Sequence, residues 1–304
     1  MINSASIFQL MRPLIDGFIG KYDQLPENWK QIFQTKPSEH AFEIIQEIRY
    51  LGFARRKEEG VPMAQDTMST RNQKTVRHNT YGLSFPISRE AIKDNLYKTQ
   101  FPDRLAALGA SLRATRTQEA MNVLNLGNTV ITTTDGVTLF NTAHPLDNGV
   151  TNSNYAGVAL SEVGIQQGVK DIRGFKQLSG IPASVKPQLL VVGTANETAA
   201  TILTNSQYRA SVGTANNNAL AGVNDINAIY HNSIFPKGYV VDSYLTNENF
   251  AAIITDVKGL IHYEREKIQN MEWVDQHSHT NWFSAFERYS FDATDWRSVY
   301  GLMV

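Results

Sequence analysis

The sequence predicts an α+β fold, and three patterns predict it. Residues 41–51 alternate with a period of two and are answered by a second alternating run over 81–88. From Pro102 a helical period is sustained for roughly 25 residues. Farther on, the apolar run Leu189-Leu190-Val191-Val192 reads as a buried strand, and it opens a section of short strands that leads into an aromatic C-terminus.

Taken in order, residues 1–40 form an N-terminal arm. Ile7, Leu10, Met11, Leu14, Ile15 and Phe18 fall at helical spacing, interrupted by Pro13 and Gly17. Pro26 and Pro37 then bracket Trp29, Ile32 and Phe33, an i, i+3, i+4 stripe that packs either on its own domain or on a neighbouring subunit. Over 41–86 the period switches to two. Phe42, Ile44, Ile48 and Tyr50 share one strand face opposite Glu43, Glu47 and Arg49, while Ile45 and Leu51 break the polar side. Tyr81, Leu83, Phe85 and Ile87 supply a matching return strand, and the polar stretch between, with Arg55, Arg56, Lys57, Glu58 and Glu59, makes a charged tip. The whole reads as one long hairpin. A two-stranded ribbon is marginal in water unless its apolar face is covered, so this one wants either the body of the chain or another copy.

Ser88 is a plausible N-cap for a short helix with Glu90 in its first turn. The long helix over 102–126 has Pro102 at its first position, Asp103 beside it and Gly127 just past its end. Leu105, Leu108 and Leu112 mark one face, and Ala110, Ala114, Met121 and Leu124 another, so more than one neighbour should contact it. A polar connection over 128–157 leads to a glycine-weakened helix near 161–178. The strand ending at Val192 feeds a helix opened by Thr194 with Glu197 three residues on, the pattern of a capping box. An Asn/Ala/Gly-rich loop spans 211–225, and strands follow near 226–235, 238–245 and 250–255.

Composition narrows the function. In 304 residues, 28 Lys+Arg against 29 Asp+Glu leave a net charge of −1, and charged residues make up 19% of the chain, below the ~25% of ordinary domains. Such a chain repels its own copies weakly and lacks the cationic excess of a general nucleic-acid binder. Zero cysteines remove disulfides, thiolate metal sites and cysteine nucleophiles. The first twenty residues carry Arg12 and Asp16 and no basic leader with a cleavage site, and no apolar run approaches the ~20 residues of a membrane span. The expectation is a soluble protein made in the cytosol.

Three constellations resemble chemistry. Gly193-Thr194 after a strand resembles a phosphate cradle, but no Gly-Lys-Ser/Thr or G-x-G-x-x-G accompanies it and the capping box accounts for Thr194 and Glu197. Asp275, His277 and His279 alternate as a two-His, one-carboxylate set would, and Ser278-His279-Thr280-Asn281 reads equally as an exposed hairpin end. Asp135 and His144 pair as an acid/base dyad on one reading and as a structural pin of a turn-rich loop on the other. His40, His78, His231 and His262 are scattered, and no serine sits in a G-x-S-x-G elbow. No catalytic, cofactor or metal residue is assigned. The shape signals instead predict an oligomer: a striped arm, a ribbon in need of cover and a two-faced helix.

The segment Asp135-Gly136-Val137-Thr138-Leu139-Phe140-Asn141-Thr142-Ala143-His144-Pro145 resembles the D-G-x-x-L-F-x-T-x-H-P signature of the Mu-like phage major head subunit family. Ile87 to Asp94 resembles that family's I-T-R-E-x-x-x-D helix start, although Asn95 stands where relatives often carry a second acid. Pro187-Gln188-Leu189-Leu190-Val191-Val192 resembles its P-x-L-L-V-V strand. The resemblance spans roughly 40–260. It implies the tailed-phage major capsid fold: an arm at 1–40, an extended hairpin loop at 41–86, a peripheral domain at 87–184 with spine helix 102–126, an axial domain at 185–257, and a return to the peripheral domain over 258–304.

The implied role is a virion protein, not an enzyme, assembled in the host bacterial cytoplasm into an icosahedral shell of hexamers and pentamers around double-stranded DNA. Its implied partners are its own copies, a separate scaffold, a portal, decoration proteins and, weakly, the packaged DNA, with no membrane and no cofactor. The alternatives are the shell of a cellular nanocompartment with the same fold and a soluble oligomeric enzyme using Asp135/His144 or His277/His279.

Overall fold

In the computed structural model, residues 12, 13, 15, 17, 18, 22, 27–94, 97–208 and 226–303 are described. Ile7, Leu10, Met11 and Leu14 of the arm stripe, Asn95 and the 211–225 loop lie outside them. The chain runs α1 (Trp29–Ile32), β1 (Gln34–Pro37), β2 (Phe42–Arg49), β3 (Ser69–Arg77), β4 (Asn79–Ile87), α2 (Arg89–Lys93) and α3 (Tyr97–Asn125). The short strands β5 (His144–Pro145), β6 (Thr151–Asn152) and β7 (Tyr155–Ala156) precede α4 (Glu162–Arg173), β8 (Pro187–Val192), α5 (Glu197–Asn205) and α6 (Ala228–His231). The chain closes with β9 (Tyr239–Val241), β10 (Ala251–Thr255), β11 (Leu260–Val274), β12 (Asn281–Ala293) and β13 (Val299–Leu302).

Two sheets carry the architecture. One has the order β1-β11-β12-β4 and the other β7-β13-β10-β8-β9. Every residue of β10 is buried, as are all of β8 but Gln188, because both faces of their sheet are covered. Ile165, Val169 and Ile172 of α4 pack on one face, and Met121 and Leu124 of α3 with Trp29 and Phe33 lie against the other. Continuous apolar runs such as Leu189-Val192 are what such double coverage requires. The boundary at 185–257 does not confine this sheet, since β7 and β13 enter it from outside. Residues 258–304 divide accordingly: β11 and β12 build the four-stranded sheet, and β13 joins the five-stranded one.

The long helix α3 has 29 residues and so runs about 43 Å at ~1.5 Å per residue. It begins at Tyr97, five residues before the expected start, with Pro102 inside it. Phe101, Leu105, Leu108, Leu112, Arg116, Ala120 and Val123 form one buried stripe at steps of three and four, and Met121 and Leu124 of the expected second face are buried beside it. Of that second face, Ala110 is exposed and Ala114 half-buried, so it is packed only at the helix's C-terminal end. From the arm, Ile15 packs with Phe101 and Leu105, and Tyr22 with Leu108 and Leu112. This stretch of the arm thus packs on its own domain.

Several local expectations are corrected. The hairpin of 41–86 is really β2 with β3, Phe42 opposite Arg77 and Arg49 opposite Ser69. The expected return strand, β4, pairs instead with β12, Tyr81 opposite Glu287 and Phe85 opposite Phe283. Alternation separates the two faces of a strand and does not say which strand it joins. Thr194 opens a single 3-10 turn with no side-chain cap, so the capping box does not form. The strand near 226–235 is the short helix α6, capped by Asn227, whose side chain accepts from the N–H groups of Ile229 and Tyr230. Gly127 serves close approach: a Cβ there would stand 2.6 Å from Phe140 Cδ2. Ser88 does cap α2, its Oγ accepting from the Ala91 N–H at 3.3 Å.

Candidate functional site

The Asp135–Pro145 segment follows α3 through a tight loop. Gly136, at φ +84°, turns the chain in a backbone region that glycine adopts at little cost. Thr133 Oγ and the Val137 N–H both donate to Asp135 Oδ1, the latter at 3.0 Å. Asp135 Oδ2 then faces His144 Nδ1 at 2.7 Å. The other ring nitrogen, Nε2, lies 3.0 Å from Asn154 Oδ1. That oxygen also accepts the Asn141 N–H, while Asn154 Nδ2 donates to the carbonyls of Leu139, Trp296 and Val299. The imidazole lies flat on Trp296, ring centres 4.5 Å apart and planes 11° apart.

His144 and Asn154 are wholly buried, and both ring nitrogens are taken by acceptors of the protein. Burial alone would raise the Asp135 carboxyl, but hydrogen bonds from His144, Thr133 and Val137 hold it below its ordinary value. Such a dyad offers no free edge to a substrate. It is a clasp that ties the loop after α3 to the strand β7 and the turn before β13. Phe140 completes the clasp, wedged where added Cβ atoms on Gly127 and Gly301 would stand 2.6 and 2.8 Å from its ring.

Upon this clasp lies the β2–β3 ribbon. Arg49 pairs with Asp147 at 3.0 Å, and Arg71 reaches Asp147 and the Pro145 carbonyl. Asn72 donates to the Asp135 carbonyl, and Lys74 donates to the carbonyls of Thr132 and Ala293 and to the Asp292 carboxylate. Glu47 shares this interface, where burial first and the nearby Asp135 second push its carboxyl up. At the ribbon's base His78 lies 3.0 Å from both Ser38 Oγ and Ser290 Oγ, and Ile45 and Val76 pack with Ile261 and Tyr263. At the far end Asp66 accepts from the Gly52 N–H at 2.7 Å and from Arg49 at 3.0 Å, bonds that hold its carboxyl at about 2.

The chain's body therefore covers the mainly polar face of the ribbon, through ion pairs and carbonyl contacts. The apolar face is turned outward. Phe42, Ile44 and Ile48 are 48%, 53% and 41% exposed, and the row continues along the tip with Tyr50, Leu51, Phe53, Val61, Met63 and Met68. Arg55 to Glu59 are exposed among them, so the tip is as apolar as it is charged. An exposed apolar area of this kind marks a contact surface.

The remaining constellations are used locally. Asp275 closes the β11–β12 turn, accepting from the His277 N–H and the Ser278 hydroxyl, while His279 adopts φ 52°. Among the described residues no group of three or more His, Asp or Glu is placed to hold a metal. Two residues escaped the sequence reading. Arg116 is buried on the α3 stripe, bonded to the equally buried Glu287 of β12, which also accepts the Tyr22 hydroxyl at 3.2 Å. Asn154 had no signal beyond its place in a polar loop.

The profile of the phage capsid protein family matches residues 72–302, from the ribbon's second strand through the clasp to β13. The chain belongs to the phage capsid protein family. No curated protein matches it in sequence. Among solved structures, the virus-like particle from Pyrococcus furiosus shares 12% identity over 96% of this chain and 99% of its own, with a TM-score of 0.58. The bacteriophage PhiM1 mature capsid shares 8% identity over 92% of this chain and 87% of its own, at 0.59. The bacteriophage JBD30 procapsid shares 13% over 100% and 76%, at 0.54. The fold is that of tailed-phage capsid proteins, and this family member is a major capsid shell protein. Among the described residues no helix is long and apolar enough to cross a membrane.

Proposed function

We propose that copies of this chain form an icosahedral shell of hexamers and pentamers, assembled in the host cytoplasm around double-stranded DNA, and that the β2–β3 ribbon is the extended loop that joins neighbours. The observation that carries this is the outward apolar row from Phe42 to Met68. Its side chains are stranded in a single copy, about half exposed, and covering what is exposed of each contributes about 1 kcal/mol. A shell closes through many such modest contacts repeated by symmetry. The polar tethers fix the ribbon's direction, so the row is offered in a defined orientation.

In this reading the four-stranded sheet with α3 is the peripheral domain, and the five-stranded sheet with α4 to α6 is the axial domain. A separate scaffold directs the assembly, a portal and decoration proteins join the shell, and the chain's work is mechanical. Negative-stain microscopy of the purified full chain, alone and with a scaffold, tests the proposal. Hollow particles or five- and six-fold rings support it, and a small oligomer of fixed size opposes it. A second reading, a cellular nanocompartment shell, is favoured by the likeness to the Pyrococcus furiosus particle along nearly its whole chain. Particles that enclose an enzyme rather than DNA distinguish it.

A further inference from the structure

A cleft at one end of the five-stranded sheet has no part in the clasp or the ribbon. Two adjoining hollows of about 330 and 420 Å³ share Gln188 at the start of β8. Their walls carry Lys30, Arg173, Lys186, Lys237 and Lys258, with Asp256 as the carboxylate among them. These cations come from separate places: α1, the end of α4, the approach to β8, the loop before β9 and the β10–β11 turn. Lys30 is paired with Glu27 at 3.1 Å. The other four are exposed, and among the described residues their side chains make no ion pair or hydrogen bond. Asp256 is partly engaged already, accepting the Lys186 N–H at 2.9 Å.

Four unpaired cations gathered around one cleft stand out in a chain of net charge −1. Self-repulsion among them is unfavourable unless an anion answers it. A small anion would call for converging N–H groups or a bidentate guanidinium fork. Here three of the four are lysines on flexible stems, and the four come from separate segments of the chain. That arrangement suits charges met one at a time, as presented by successive phosphates of a duplex.

Resting on the capsid reading, we infer that the rim formed by Arg173, Lys186, Lys237 and Lys258 is a sequence-independent contact for the phosphate backbone of double-stranded DNA. The duplex is too wide to enter the hollows and lies across their mouths. Each lysine releases counterion on contact, so the attachment is individually weak and strongly salt-dependent.

The test uses the unassembled full chain and a fluorescent 24-base-pair duplex of random sequence, titrated by anisotropy between 50 and 200 mM NaCl. The expected result is salt-sensitive binding by the wild type. The variant Arg173→Gln, Lys186→Gln, Lys237→Gln, Lys258→Gln should bind at least tenfold more weakly at the lowest salt. Its log–log salt slope should be shallower by about 3.6, given ~0.9 per phosphate contact for each of the four cations. A milder variant, Lys186→Gln with Lys258→Gln, should lose about half of that slope and guards against misfolding of the fourfold change. Neutralising Arg55, Arg56 and Lys57 at the ribbon tip should leave affinity and slope unchanged.

The proposal is overturned if the wild type does not bind, if the cleft variants bind like it, or if the tip variant loses as much. It is also overturned if poly-glutamate, but not DNA, distinguishes wild type from variant, which would make the cleft a seat for an acidic protein segment. Microscopy of the same variants reads the capsid assignment separately, because shell formation is scored there without reference to DNA affinity.

Discussion

Asp135 Oδ2 and His144 Nδ1 lie 2.7 Å apart with both side chains sealed from solvent, and the ribbon rests on the loop that this pair pins. The Asp135 carbonyl accepts from Asn72 of β3 while its carboxylate holds His144. One residue thus links the interior clasp to the outer ribbon. A pattern of residues that resembled an acid/base pair is the foundation on which the ribbon rests.

Removing the ring should therefore be costly without touching any surface contact. His144→Ala leaves the Asp135 carboxylate buried with its partner gone and opens a gap against Trp296. A loss of about 3–5 kcal/mol is expected, read as a lower denaturant midpoint for the unassembled chain. A loss below about 1 kcal/mol would show that the clasp contributes little.

The two carboxylates at this interface should respond to pH in opposite directions. Asp135 is held below its ordinary value, so its contribution is complete above the unfolded value near 3.8 and is lost as pH falls through the lower folded value. Glu47 is pushed above its ordinary 4.5, so its contribution is present below that value and is lost as pH rises through the folded one. Glu47→Gln should accordingly raise the melting temperature at pH 7 relative to wild type and leave it nearly unchanged at pH 3. Asp135→Asn should flatten the decline below about pH 4. Parallel melts across pH check both, and a Glu47→Gln gain confined to acid pH would reverse the assigned sign.

Arg116 and Glu287 face each other from the buried stripe of α3 and the buried row of β12. The guanidinium also lies 5.3 Å from the Tyr289 ring and 5.4 Å from that of Tyr22. Arg116→Met should cost about 3–5 kcal/mol by leaving Glu287 buried and unpaired. The double change Arg116→Met, Glu287→Leu should recover much of that, measured as a double-mutant cycle. Equal instability of the single and double variants would argue against coupling.

Cutting the tether should free the ribbon rather than unfold the chain. Lys74→Met removes contacts to Thr132, Asp292 and Ala293 at about 1.5–3 kcal/mol. Limited proteolysis should then cleave faster within 50–68, with the body intact. Unchanged cleavage would mean that Arg49 and Arg71 hold the ribbon alone.

Much of this architecture was legible where local pattern suffices. The run Leu189 to Val192 announced a strand covered on both faces, Ser88 announced its cap, and the long helix was legible in its existence and its end, though it starts five residues before Pro102. Partnership was not legible. The period of Tyr81 to Ile87 fits any neighbour, and its true neighbour β12 begins at residue 281. Arg116 hid because a charge on an apolar stripe looks like an interruption until Glu287 is seen opposite. The outward turn of Phe42, Ile44 and Ile48 was equally hidden, since alternation separates two faces without saying which one the body takes. At the site, Asp135 and His144 were named from sequence, but Asn154, which decides that the pair is a clasp, came only from the fold.

The central claim is that the outward row of the ribbon joins one copy to the next. A cryo-EM map of the assembled particle, with the Ile44→Glu, Ile48→Glu variant prepared alongside, tests it most directly. Exposed positions of this kind should change the stability of the unassembled chain by no more than ~0.5 kcal/mol. The account predicts Phe42, Ile44 and Ile48 packed against a neighbouring copy in the wild-type shell, and a folded variant that forms no shells. A map with those side chains facing solvent, or normal shells from the variant, would contradict it.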